Sequence, residues 1–136
     1  MEIYNKLNSN YKKSMQSNNR ILKYATRSII GFLRDFVKEK YSKDTPDSKK
    51  YSNENLIKVI HASCKESIDL SKAFTSIKPR TDKVWESIDD ITTILGLKMT
   101  FLPEDEIKNF ENKYKKEIID MAPGWVTPIP DDLEYL

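Results

Sequence analysis

Across residues 1–41 apolar side chains return at helical spacing, and neither a proline nor a turn dipeptide interrupts them. That is the pattern of one long amphipathic helix. Written as a heptad with Met1 at position a, the a positions are Met1, Asn8, Met15, Leu22, Ile29 and Phe36, and the d positions are Tyr4, Tyr11, Asn18, Ala25 and Phe32. The seam is polar at Asn8 and Asn18. Unbroken over residues 2–41, this helix would run about 60 Å at 1.5 Å per residue. Gln16-Ser17-Asn18-Asn19 is the one place where it would break, and the continuous form is the expectation.

Residues 42–51 are polar with Pro46 in their middle, and they read as a loop. Ser52 then offers a side-chain oxygen to the free amides of a new first turn, with Glu54 placed for the helix dipole. The helix that follows, about residues 53–77, has a wide apolar set. Leu56, Ile60, Leu70, Phe74 and Ile77 make one stripe and Ile57, Cys64 and Ile68 an adjoining one, so it is expected to be the central, multiply buried helix. Pro79 ends it and Thr81 caps the next. Residues 82–95 carry Val84, Ile88, Ile91 and Leu95 at i, i+4, i+7 and i+11, with Gly96 read as a left-handed cap. Leu97, Met99 and Phe101 alternate with polar residues and read as an extended connector.

Pro103 and the acidic run Glu104, Asp105 and Glu106 open a last helix, about residues 103–121, with Ile107, Phe110, Tyr114 and Ile118 as its stripe. Ala122-Pro123-Gly124 stops it. The remainder holds Pro128 and Pro130 and reads as an extended tail. The predicted fold is all-α: a small bundle of about four helices, with a single helical domain at residues 1–122, a long basic N-terminal helix, and a Pro-containing tail at residues 123–136.

Length and composition narrow this picture without changing it. At 136 residues and 15.9 kDa the chain has the size of one domain. No uninterrupted apolar run approaches the ~18 residues of a membrane span, and no apolar signal region follows the amino terminus. Cys64 is the only cysteine, which excludes an intramolecular disulfide and points to a reducing, cytoplasmic setting. The acid-poor basic amino terminus also has the look of a mitochondrial presequence, the alternative address. Gly31, Gly96 and Gly124 are too scattered for a phosphate-binding loop.

Charge changes the picture more. Residues 1–50 hold twelve Lys or Arg against five Asp or Glu, a net +7, and residues 51–136 hold eleven against sixteen, a net −5. Residues 3–34 contain no acid at all. On the continuous heptad Lys6, Lys13, Arg20, Arg27 and Arg34 all fall at f, about 10.5 Å apart on one exposed ridge. Such a ridge suits phosphates, an acidic protein or an anionic surface, or it is a solubilising face that pairs with the chain's own acidic helices.

Catalytic and metal chemistry finds little support. His61 is the only histidine, and its i, i+3 partner Cys64 lacks an identifiable orienting group or oxyanion donor. The bland reading of that pair is a buried thiol beside a half-exposed imidazole. Of the acidic cluster Asp82, Glu86, Asp89 and Asp90, the i, i+4 neighbours Asp82, Glu86 and Asp90 lie opposite the apolar stripe of their helix, where solvated charges belong. No metal site, no cofactor and no small-molecule substrate is indicated.

The favoured function is therefore a non-catalytic protein–protein interaction module: an adaptor, an inhibitor of the immunity type, or an accessory, regulatory or assembly subunit. Its partner would be another protein, a second copy of the chain included. The argument is geometric. A second helix of about 36 Å covers only part of a 60 Å first helix, leaving the seam residues Tyr4, Tyr11 and Met15 for a partner. Trp125, Ile129, Leu133 and Tyr135 of the tail are the second contact set, unless the tail folds back with Trp125 as its anchor. The alternative is a sequence-independent nucleic-acid binder using the basic ridge, and the third reading is a small enzyme of unrecognised type.

Overall fold

A computed structural model describes residues 1–130, which fold as seven helices with no strand among them. The four expected helices become seven through two breaks and one addition, and the first break matters most. Helix α1, Glu2–Ser17, stops because Asn18 takes the left-handed conformation (φ 56°, ψ 34°), its N–H returning to the Ser14 carbonyl. Asparagine is one of the few side chains that tolerates this conformation. Asn19 then lies extended, and its Oδ1 accepts from the Leu22 N–H at 3.1 Å, capping α2, Arg20–Lys40. Adjacent stop and start signals turn the expected 60 Å rod into a helical hairpin.

The hairpin is antiparallel, since Tyr4 and Asn8 near the start of α1 share a groove with Ile30, Leu33 and Val37 toward the end of α2. Folded back, α1 buries Leu7 and Ser14, which lie off the heptad seam. Residues 1–15 therefore have an internal partner, and the length argument for an uncovered first helix fails. In α2 the buried positions Leu22, Ala25, Thr26, Ile29 and Leu33 do follow the a and d stripe and its neighbour.

The loop after α2 contains a one-turn helix, α3 (Asp47–Lys50). Asn55 organises it: this buried side chain donates through Nδ2 toward Tyr41 Oη (2.9 Å) and the Lys49 and Lys50 carbonyls (3.0 and 3.1 Å). Tyr51 stacks on Tyr4 with ring centroids 4.1 Å apart, joining this loop to α1. Ser52 caps α4, Asn53–Thr75, by accepting from Asn55 N–H at 3.3 Å. Central as expected, α4 packs against α1, α2, α5 and α7. The helix ends at Thr75, two residues before the expected end, and its wide stripe is only partly covered: Leu70 stays exposed, as does Ile77 beyond the helix end.

Thr81 caps α5, Asp82–Met99, through a 3.4 Å bond from Val84 N–H. Here the expectation of a helix end at Gly96 and an extended connector is wrong. Gly96 lies inside the helix, and no glycine has a positive φ among the described residues. All six residues 97–102 are buried. A helix end enclosed on every side loses the apolar/polar period by which an amphipathic helix is recognised. The alternation of Leu97, Met99 and Phe101 is coincidence within it.

The last expected helix is divided at Tyr114 into α6, Glu104–Lys113, and α7, Lys115–Met121. No proline or glycine marks that division, while the stripe Ile107, Phe110 and Ile118 is buried. Residues 123–130 have no helix or strand and touch the domain through Trp125, Thr127 and Pro130. The Trp125 indole packs onto the core near Gly96, its Nε1 donating to Glu111 Oε2 at 2.6 Å, and Thr127 Oγ1 donates to Glu111 Oε1 at 3.0 Å.

Candidate functional site

Folding α1 back dissolves the five-cation ridge, because f positions on two antiparallel helices no longer form one line. Lys6 also turns inward. Its ammonium donates to the Pro130 carbonyl at 2.5 Å and the Thr100 carbonyl at 3.4 Å, and lies 5.8 Å from the Phe101 ring centre. Lys13, Arg20, Arg27 and Arg34 remain exposed on the hairpin.

Their surroundings are unusual. Neither these four nor Lys12, Lys23, Lys38 or Lys40 forms an ion pair with a described carboxylate. Between described residues of the basic half, Lys50 pairs with Asp47 at 3.7 Å within α3. The acidic helices keep their charges elsewhere: Asp82, Glu86, Asp89 and Asp90 face solvent on α5.

Two of these cations, Arg34 and Lys38, line a groove of about 490 Å³. Its floor is Ile30, Leu33 and Val37, its walls Tyr4, Asn8 and Tyr51, and Arg34 and Lys38 stand one helical turn apart on its rim. Because Tyr4 and Tyr51 are already stacked, each ring has one face occupied. Burial pushes the Tyr51 hydroxyl pKa up, with Tyr4 and Asp47 adding to the shift.

The other expected contact residues are dispersed. Tyr4 faces the groove, Tyr11 is half-buried, and Met15 is 52% exposed near the hairpin turn, so the three do not form one seam. Trp125 is half-buried on its own domain, while Val126 and Ile129 are 81% and 63% exposed. Leu133 and Tyr135 lie outside the described residues.

His61 and Cys64 do not form a catalytic pair. His61 Nε2 lies 2.8 Å from Glu106 Oε2 and its ring borders Phe110. Cys64 is fully buried, and desolvation raises its pKa to about 12, so the thiol stays protonated and inert.

The residue that sequence reasoning missed is Lys98. It is 1% exposed, its Nζ donating to the Ser63 carbonyl and to Ser67 Oγ, both at 2.8 Å. Desolvation pulls its pKa down, opposed by Cys64 and Glu66. The signal existed: Lys98 continues the spacing of Val84, Ile88, Ile91 and Leu95 by one more step of three. Ending the helix at Gly96 hid it.

No protein-family model, curated protein or solved structure matches the chain. Among the described residues no helix is long and apolar enough to cross a membrane.

Proposed function

We propose that the chain is a non-catalytic protein-interaction module that holds an acidic partner protein on the outer face of the α1–α2 hairpin. The observation that carries this reading is the set of hairpin cations without described carboxylate partners, two of which, Arg34 and Lys38, line an apolar groove. An excess of positive charge over the exposed Asp35 and Glu39 of α2 steers an opposite partner and sets its register, while a groove floor of Ile30, Leu33 and Val37 supplies the burial that gives affinity. A polyphosphate needs the cations but has no use for that floor. The prestacked Tyr4–Tyr51 pair also limits base stacking, so protein is favoured over nucleic acid.

In this reading α1, α2, α4 and α5 form the bundle proper, and the outward Val126 and Ile129 extend the contact area. A reducing compartment suits the lone thiol. Basic-face capture replaces the uncovered-helix argument, which the hairpin removes.

The test is capture from the protein's own cells on immobilised protein, with nuclease-treated and untreated extracts, comparing wild type with the Arg27→Glu/Arg34→Glu double variant. An acidic protein that survives nuclease, elutes as salt rises and is lost in the variant is expected. Loss of all bound material on nuclease treatment would transfer the face to nucleic acid, and retention by the variant would overturn the reading.

A further inference from the structure

We propose that the cavity between α2, α4 and α5 binds a small apolar carboxylate, with the Lys98 ammonium as its anchor. This is independent of the hairpin face. The cavity holds about 220 Å³, less than the ~300–1,000 Å³ of drug-sized pockets, which fits a short-chain or single-ring acid. Leu70, Phe74, Ile91 and Ile94 line it, and Ser67 and Lys98 are among its polar lining, which also includes Glu66 and Asp90. Ser67 and Lys98 both line the cavity, and Lys98 Nζ donates to Ser67 Oγ at 2.8 Å.

The charge of Lys98 is the unexplained feature. Ammonium carries three N–H donors, and only two acceptors, both uncharged, are found for it among the described residues. A buried cation held only by dipoles is costly, and a carboxylate is the group that compensates it best. Glu66 favours the ammonium through space, but no described carboxylate forms an ion pair with it. Glu66 and Asp90 line the cavity but are solvent-exposed, and neither pairs with Lys98.

Their position sets the orientation of the ligand. An anionic head is repelled where Glu66 and Asp90 stand and attracted at Lys98, so the acid enters head first. Its oxygens take over the Ser67 hydrogen bond to Nζ, while the alkyl or aryl body fills the space between Leu70, Phe74 and Ile94. Each element is needed: the apolar walls reject a small hydrophilic anion, and the amine discriminates an acid from an alcohol of the same length.

Octanoate and octan-1-ol, titrated separately into the full chain and followed by amide chemical shifts, test the proposal. Octanoate should give saturable shifts at Leu70, Phe74, Ile91 and Ile94 and bind roughly tenfold or more tightly than octan-1-ol, the worth of a charged hydrogen bond. Lys98→Met, similar in length without the charge, should erase that preference. Ile94→Trp should fill the cavity and abolish binding while leaving Lys98 in place, and it decides the matter if Lys98→Met fails to fold. Equal binding of acid and alcohol, no saturable shift with octanoate, or unchanged octanoate binding in a folded Lys98→Met or Ile94→Trp protein would overturn it.

Discussion

Trp125 and Glu111 are joined by a 2.6 Å hydrogen bond from the indole Nε1 to Oε2, and this bond fastens the chain after α7 to the flank of α6. The same indole approaches the backbone of Gly96, with Cη2 4.0 Å from where a Cβ would stand. Trp125 thus belongs to the core's rim, at the joint of α5, α6 and the terminal segment.

Trp125→Ala should therefore destabilise the domain. Full removal of a buried large aromatic costs ~3–5 kcal/mol, and a half-buried indole about half of that, ~2 kcal/mol. Urea unfolding checks it. An unchanged midpoint would mean that the segment is not part of the folded unit.

Gly31 should accept alanine with a gain. It sits within α2 with nothing within 4 Å of an added Cβ, and its φ is not positive. Replacing an exposed helical glycine by alanine stabilises by ~0.5–1 kcal/mol, chiefly by reducing the freedom of the unfolded chain. A rise of a few degrees in the thermal midpoint is expected.

Asn18 should distinguish glycine from alanine, and Asn19 should need its side chain. Asn18→Gly keeps the left-handed turn and should be neutral or better, while Asn18→Ala should lose ~1 kcal/mol to the strain of that conformation. Asn19→Ala removes the bond to Leu22 N–H and should cost ~1 kcal/mol. Equal denaturation midpoints for Asn18→Gly and Asn18→Ala would show that the reversal does not depend on a left-handed residue.

Stability at alkaline pH should carry two opposing signatures. The Lys98 pKa is lowered in the folded state, so the unfolded chain binds more protons over the window from that lowered value to 10.5. Its contribution to stability rises with pH across that window. Cys64 is raised from 9.0 to about 12, so the folded chain binds more protons there, and its contribution falls from about pH 9 upward. Denaturant titrations of Lys98→Met and Cys64→Ala against wild type separate them. Lys98→Met should lose stability relative to wild type as pH rises toward 10.5, and Cys64→Ala should gain above pH 9. Parallel pH profiles for all three proteins would show that neither group is desolvated as described.

Which parts of this architecture were legible before folding follows from how local their causes are. The all-helical class, the caps at Ser52 and Thr81 and the stripe Val84, Ile88, Ile91 and Leu95 depend on neighbours within a turn or two, and the chain spells them out. The bland reading of Cys64 also stood, because a small thiol on an apolar helix face is buried by its neighbours. At Asn18-Asn19 the residues allowed either a seam position or a stop and start. Packing α1 against α2 and α4 decided between them, since it buries Leu7 where a continuous rod would leave it without an internal partner.

The candidate sites divide the same way. Counting charges along the chain locates a basic half, which is a property of composition. Which cations stay without carboxylate partners depends on how the two halves fold against each other: Lys6 is drawn to Pro130 and Thr100, and Arg27 and Arg34 are left facing water. Lys98 is the extreme case. Its helical position continues a visible stripe, but its burial between Ser63 and Ser67 arises only when α4 closes over α5, and a lysine reads as surface until a second helix removes the solvent around it.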